Sequence, residues 1–471
     1  MYMTMKGRFI ILIVAACSLS SCHVYKAYQR PEMDLDGLYR QTDSIQADTL
    51  NFGNLSWREV FTDKPLQKLI EQGLANNTDL KIAKLKIDEA EASLKAAKLA
   101  YYPSIGLAPQ GTISSFNHSA ASKTYSQPVT ASWEVGIFGS LLNAKRKAKA
   151  AVEQSEAYRQ AVQTQLIATI ANDYYTLLML DRQLEISEST AETWKRSVQT
   201  MRDMKEEGMT NEAAVTQSEA NYRSVLASIP DLKRSIREME NSLCSLLGCN
   251  PGAVERSRLE EIQSPSGIST GVPLQLLANR PDVKQAEMSL AVAYYATNIA
   301  RSAFYPNITI DGSAGWTNSA GEIITNPTKF LVSAIGSLVQ PIFNKGKNIA
   351  NLKIARAQQE EALLSFRQSL LNAGTEASNA IYMYQSATDK SREREIQVGA
   401  LESSVEYTNE LFLHGTSTYL EVLTAQQDLF SAQLSQVNDR FEQLQATINL
   451  YHALGGGRED EKVVSQTKSL Q

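Results

Sequence analysis

The sequence predicts a mainly α fold with transmembrane β-strands, built from an internally duplicated helix–strand–strand–helix unit. Three observations predict it. The chain resembles itself at a nearly constant offset, it carries period-two runs in matched pairs, and it holds two long helix-forming stretches almost free of proline and glycine.

The repeat comes first. Leu74-Ala75-Asn76-Asn77-Thr78-Asp79-Leu80 aligns with Leu277-Ala278-Asn279-Arg280-Pro281-Asp282-Val283, an offset of 277 − 74 = 203. The same offset aligns Ala100-Tyr101-Tyr102-Pro103 with Ala303-Phe304-Tyr305-Pro306. Ile137-Phe138 then matches Ile342-Phe343, Gly208 answers to Gly415, and Leu247-Gly248 to Leu454-Gly455. Five matches in order, with small drift, mean two copies of one unit.

Each copy opens with a helical stretch, about Pro65 to Leu99 and Pro273 to Ser302, closed by an aromatic pair and a proline. Strand-like runs follow. Ile105, Leu107 and Ile113 alternate with Ser104, Gly106, Gln110, Thr112 and Ser114. Val129, Ala131, Trp133, Val135 and Ile137 alternate with Thr130, Ser132, Glu134 and Gly136. In the second copy Ile308, Ile310, Gly312, Ala314 and Trp316 oppose Thr309, Asp311, Ser313 and Thr317, and an apolar, less regular run spans Phe330 to Phe343. The segments NHSAASKTYS and NSAGEIITNPT read as polar loops between paired runs. Runs of about ten residues with one apolar and one small polar face are the signature of transmembrane barrel strands, and tyrosines and tryptophans near their ends fit interfacial girdles. Four strands cannot close a barrel that needs about eight, so the strands imply an oligomer.

Long helices complete each copy. Leu141 to Glu207 contains no proline or glycine, and at about 1.5 Å per residue reaches on the order of 100 Å. Its counterpart, Lys347 to His414, has Gly374 as an internal breaker. The returning helices carry a four–three stripe: Val225, Ile229, Leu232, Ile236, Met239, Leu243 and Leu246, and then Phe430, Leu434, Val437, Phe441, Leu444, Ile448 and Tyr451. Such stripes are packing seams. Pro230 interrupts the first and predicts a bend.

Composition bounds the function. The chain has 471 residues, 43% of them apolar, and a formal charge of −5 with a pI of about 5.7, which argues against a nucleic-acid binder. There are four histidines, no cysteine–histidine cluster, no nucleophile–histidine arrangement and no phosphate-cradling glycine loop. No enzyme, cofactor or metal centre is expected. Scattered Asp/Glu pairs read as solvated helix faces, and neither His414 nor His452 has an evident partner.

The N-terminus sets the compartment. Lys6 and Arg8 precede an apolar run from Phe9 to Ala16 that is too short to span a bilayer. Leu19-Ser20-Ser21-Cys22 resembles the bacterial lipobox, which makes Cys22 the acylated first residue of the mature chain. Val14-Ala15-Ala16-Cys17 is a second match but leaves a shorter apolar run. Cys244 and Cys249 sit at an apparent helix end. They match no zinc spacing, and an exported location leaves open either a disulfide or two small buried residues.

These residues resemble the TolC-like outer-membrane efflux ducts, in particular their lipoprotein branch. The resemblance rests on Cys22 with Tyr28-Gln29-Arg30-Pro31, on Leu277 to Val283, Trp133-Glu134 and Gln340-Pro341-Ile342-Phe343, and on the run from Tyr419 through Gly457. It implies a homotrimer with a shared twelve-stranded outer-membrane β-barrel and an α-helical barrel in the periplasm. It also implies a passive duct for small molecules, docked to a periplasmic adaptor and an inner-membrane pump. On this reading 1–21 is a signal peptide and 22–61 the lipidated N-terminal and equatorial segment. Residues 62–249 form the first repeat with strands near 103–138, and 250–272 an equatorial linker. Residues 273–455 form the second repeat with strands near 306–343, and 456–471 a tail.

The resemblance puts the turns at Gly208 and Gly415 at the periplasmic tip, and Leu420, Glu421 and Thr424 at its constriction. Thr424 stands where relatives commonly carry an aspartate. Glu421 also lies three residues after Thr418, the spacing of a capping box, so it can serve the cap rather than the pore. A pore-less periplasmic adaptor lipoprotein with a coiled-coil hairpin is the alternative. It lacks matched strand pairs. The sequence does not encode the cargo.

Overall fold

The structure, a computed structural model, describes residues 25–33, 55–115, 117, 119–263, 280–318 and 330–457. The signal segment, Cys22, most of the loop NSAGEIITNPT, residues 264–279 and the tail from 458 lie outside the described residues.

The elements, in order, are α1 (Trp57–Val60), α2 (Lys64–Asn76), α3 (Thr78–Leu99), β1 (Ser104–Leu107), β2 (Gln110–Ser114), β3 (Ser122–Val135), α4 (Ser140–Glu206), α5 (Glu212–Leu246), α6 (Pro281–Ser302), β4 (Asn307–Asn318), β5 (Phe330–Val339), α7 (Lys347–Leu413) and α8 (Tyr419–Ala453). Their boundaries repeat the duplication. α6 follows α3 at both ends by 281 − 78 = 203, and α7 and α8 follow α4 and α5 at both ends by 347 − 140 = 207. The drift therefore arises among the strands and the segments that leave them.

One compact unit comprises Met1–Asp34, Lys84–Ala157 and Lys284–Ser369. It holds the antiparallel sheet, ordered β1-β3-β4-β5 with β2 also on β3. β1 and β2 are one strand interrupted at Ala108-Pro109. Leu107 pairs with Val129 and Gln110 with Ser126, so the register is kept across the gap. Pro109 and Pro128 have no N–H to give the ladder. Gly315 is required beside them, since a Cβ there would lie 2.2 Å from the Gln127 carbonyl oxygen. β3 begins at Ser122, inside the segment read from sequence as loop. Its Ser, Lys, Thr and Tyr residues are polar, but they pair with β2 from Ser122 to Ser126.

The second unit comprises Leu35–Ala83, Tyr158–Val283 and Leu370–Gln471. Its core runs along α4, where Leu166, Ile167, Ile170, Tyr174, Leu177, Leu178 and Met201 are buried. Both stripes on the returning helices are buried or half-buried throughout. Trp194 of α4 meets Phe430 of α8 edge-on at 5.9 Å, over a cluster that includes Ala191 and Val225. α7 passes Gly374 unbroken, and α5 continues through Pro230.

Candidate functional site

The sheet has two chemically distinct faces. On one, Ile105, Leu107, Ile113, Val129, Trp133, Ile310, Trp316, Val332 and Leu338 are between 39% and 74% exposed. On the other, hydroxyls bridge the strands: Ser132 donates to Asp311 at 2.6 Å, Thr309 and Ser337 are 2.5 Å apart, and Ser313 and Ser333 2.7 Å. β5 is the exception, with Ile335 and Val339 exposed on the polar side. A contiguous apolar face of this size is costly in water and favourable against lipid. Aromatic residues mark both margins. Trp133 donates its indole N–H to the Tyr101 carbonyl at 3.0 Å, and Phe138 stacks on Tyr305 at 5.3 Å. Trp316 and Tyr125 stand at the other margin.

The segment after Cys22 is strapped to the same unit. Arg146 donates to the Tyr25 carbonyl, Tyr295 accepts from the Tyr28 N–H at 3.1 Å, and Arg30 pairs with Glu287 at 2.9 Å. On α6 the partner moves back from Tyr295 for Tyr28 to Glu287 for Arg30, so the strap runs antiparallel to it. Tyr25 packs at Gly139, between β3 and α4, where a glycine Cβ would lie 2.9 Å from its ring. Cys22 lies outside the described residues, three positions before Tyr25.

In the second unit each copy has a junction where the strand-ward helix begins. Asn77 and Arg280 are equivalent by the offset of 203. Asn77 caps α3 by accepting from the Leu80 N–H at 3.0 Å, which is why the helix read as continuous from Pro65 is broken there. Its amide donates to the Leu246 carbonyl at 3.0 Å, at the end of α5. Arg280 does the equivalent in copy two, donating to the Ala453 carbonyl at 2.8 Å. Arg280 is only 4% exposed, and it also pairs with Asp282 at 2.9 Å and Glu376 at 2.6 Å. Glu376 in turn meets His452 Nδ1 at 2.9 Å. Burial pushes the Glu376 carboxyl upward, but the His452 hydrogen bond and the Arg280 charge outweigh it and hold it down at about 2.

Two sequence expectations are corrected here. His452 has a partner, and the acidic residues are not all solvated. Asp439 is buried between Lys390 at 2.8 Å and Arg394 at 2.7 Å. The part of the linker that is described, Asn250 onward, is held by Arg256, which bonds Asp181 and reaches Glu240 at 2.6 Å.

The paired turns are built alike. Gly208 and Gly415 close α4 and α7 in the left-handed region, at φ 75° and 71°. In each, the following N–H reaches back five residues, Met209 to Met204 at 2.8 Å and Thr416 to Leu411 at 3.0 Å, as in a Schellman cap. Asn211 caps α5, accepting from the Ala214 N–H at 3.1 Å. Thr418 starts α8, and its N–H donates to the Glu421 carboxylate at 3.0 Å. Ser417 also donates to that carboxylate, and these two bonds hold the Glu421 pKa below its ordinary value. Leu420, Glu421 and Thr424 form one exposed face, with Leu420 66% exposed, while Val422 and Leu423 are buried. Ser218 of α5 donates to the Tyr419 hydroxyl at 3.1 Å and ties the two turns together. In the sequence the junction residues stand out only as repeat matches, and the alignment of Asn77 with Arg280 is the one signal of a shared role. Among the described residues no group of His, Cys, Asp and Glu is placed to hold a metal ion.

The comparisons with known proteins agree with this geometry. The family model described as outer membrane efflux protein matches residues 69–249 and 272–456. The cation efflux system protein CusC of Escherichia coli K12 is 28% identical over 450 residues, covering 94% of this chain and 98% of its own length. The probable outer membrane lipoprotein SilC of Salmonella typhimurium is 26% identical over 459 residues, covering 95% and 97%. A solved structure of CusC superposes with a TM-score of 0.82 at 27% identity, covering 92% of this chain and 99% of that one. The outer-membrane channel OprN superposes with a TM-score of 0.85 at 25% identity, with the same coverage. Nothing in them favours a pore-less adaptor, which has no use for a lipid-compatible sheet. The chain belongs to the outer membrane efflux protein family and is an outer-membrane efflux duct of TolC-like fold.

Proposed function

We propose that three copies close one duct, that Cys22 anchors each to the membrane, and that the duct performs no chemistry of its own. A periplasmic adaptor and an inner-membrane pump supply the cargo and the energy. The observation that carries the trimer is the sheet: four strand positions, an apolar face and, among the described residues, unpaired edges at β1–β2 and β5. Three such sheets make twelve strands, enough to close a barrel, and closure removes the edges.

Helix α7 supports the same reading. Leu371, Tyr382, Ile396, Tyr407 and Leu411 are 45–67% exposed, and at 3.6 residues per turn they lie within about 60° of arc. At the offset of 207, Leu371 and Tyr382 answer to Thr164 and Tyr175 of α4, which are each 5% exposed. At Thr164 copy one is covered by the chain end that follows copy two: Gln163 donates to the Gly457 carbonyl at 3.1 Å, and Gly457 packs against Thr164. In a ring, copy one of the next chain covers the bare face of α7 in the same way. The strap supports the anchor, because it brings the chain to the aromatic margin of the sheet three residues after Cys22.

The segments matched by the family model, 69–249 and 272–456, are read as the two repeats proposed at 62–249 and 273–455. The turns at Gly208 and Gly415 form the periplasmic tip, and Leu420, Glu421 and Thr424 face the axis. Three glutamates around a narrow opening favour cations of any kind and do not specify a cargo. Planar-bilayer conductance tests the tip. Glu421→Gln is expected to lower cation preference, and Leu420→Ala to raise conductance. If both leave the channel unchanged, these residues do not line the constriction.

A further inference from the structure

The structure assigns a thiol-pair modification site to Cys244 and Cys249: we propose that they form a disulfide that locks the end of α5 in the exported protein. Both thiols are free in the structure, with Cys244 buried and Cys249 exposed. The backbone places them. Helix α5 ends on Gly248 in the left-handed region at φ 64°, and the Cys249 N–H donates back to the Cys244 carbonyl at 2.9 Å. That bond defines a Schellman cap, whose first and last residues bring their side chains together. The Cys249 Sγ is accordingly 3.4 Å from the Cys244 carbonyl oxygen.

The second copy shows how close these positions are. Tyr451 and Gly456 stand at the offset of 207, and the Gly456 N–H likewise donates to the Tyr451 carbonyl at 2.9 Å. There a Cβ on Gly456 would lie 2.4 Å from the Tyr451 ring. Copy two resolves the contact with a ring over a glycine, and copy one with two thiols.

The reaction needs a disulfide-bearing oxidant, which an exported location permits. The exposed Cys249 thiolate attacks that disulfide, forming a mixed disulfide and releasing one thiol. The Cys244 thiolate then attacks the Cys249 sulfur and displaces the second thiol. Two electrons and two protons pass to the oxidant, and one S–S bond forms in the chain. The bond closes a six-residue ring, Cys244 to Cys249. It fixes the turn that delivers Asn250–Gly252, whose last carbonyl lies 3.6 Å from the Cys244 Sγ.

The full chain, extracted from outer membranes and denatured in N-ethylmaleimide, supplies the test. Both cysteines fall in one tryptic segment, Glu238 to Arg256. The expected result is an unlabelled segment about 2 Da lighter than the dithiol, which takes two labels only after reduction. Labelling without reductant overturns the proposal, as does release by a chelator alone, which would indicate a bound metal. Cys244→Ser should free Cys249 for labelling; a Cys249 still blocked in that variant overturns the pairing.

Discussion

The two copies share one plan and differ at the junctions. In copy one the end of the returning helix is held by Asn77, a neutral amide with one donor bond to Leu246 and one acceptor bond from Leu80. In copy two the same place is held by Arg280, with Asp282, Glu376, His452 and the Ala453 carbonyl around it. At the repeat offset of 207, Glu376 and His452 answer to Thr169 and Ser245, so three neutral polar positions have become an ion network. The comparison teaches that the geometry of the unit is fixed by backbone carbonyls at helix ends, while the chemistry that satisfies them is free to change.

That difference sets the largest expected effect. Arg280→Ala leaves a buried carbonyl without its donor and two half-exposed carboxylates without their cation, which costs about 2–4 kcal/mol, the unmet carbonyl adding to a solvent-screened loss of ion pairing. Asn77→Ala removes neutral bonds only and should cost about 1–3 kcal/mol. Thermal unfolding of the two variants in detergent, followed by circular dichroism, ranks them. Equal losses would mean that the ion network adds nothing to the shared geometry.

The turns should behave oppositely, because they are alike. Gly208→Ala and Gly415→Ala each force a Cβ into the left-handed region, with no atom within 4 Å for it to strike. Strain alone, about 1–2 kcal/mol, acts at both. The expected outcome of the same melts is two matched shifts, and a clear inequality would show that one turn is held by contacts the other lacks.

The smallest effect is a pH dependence, screened because the Glu376 side chain is 42% exposed. Its carboxyl is held at about 2 in the folded chain against an ordinary 4.5. The folded state therefore binds that proton less readily than the unfolded state does. The stabilisation is present above about pH 4.5 and is lost as pH falls towards 2. Melting temperatures of wild type and Glu376→Gln should converge as the buffer is taken from pH 6 to pH 3. A constant gap would contradict the charge assignment.

Much of the fold was legible because its signals are local and periodic. Alternation placed the β1–β2, β3 and β4 faces, and a lack of breakers gave α4 and α7 to within one residue at each end. The break at Asn77 was missed, since helix propensity cannot say that a side chain is taken up by a carbonyl 169 residues away. The start of β3 was missed because hydroxyl residues that line a strand look like a loop until their partners are known. At the tip, the spacing of Thr418 and Glu421 predicted the cap that forms. The Arg280 site was not legible as chemistry, because Glu376 lies 96 residues away and nothing in the local pattern points to it.

The central claim is that the bare face of α7 and the open sheet edges are covered by further copies of the chain. Native mass spectrometry of the duct extracted in detergent tests it most directly. The account predicts a particle of three chains, each of 52.0 kDa less its leader and plus its lipid. A folded, conducting monomer or dimer of the same secondary structure would contradict it.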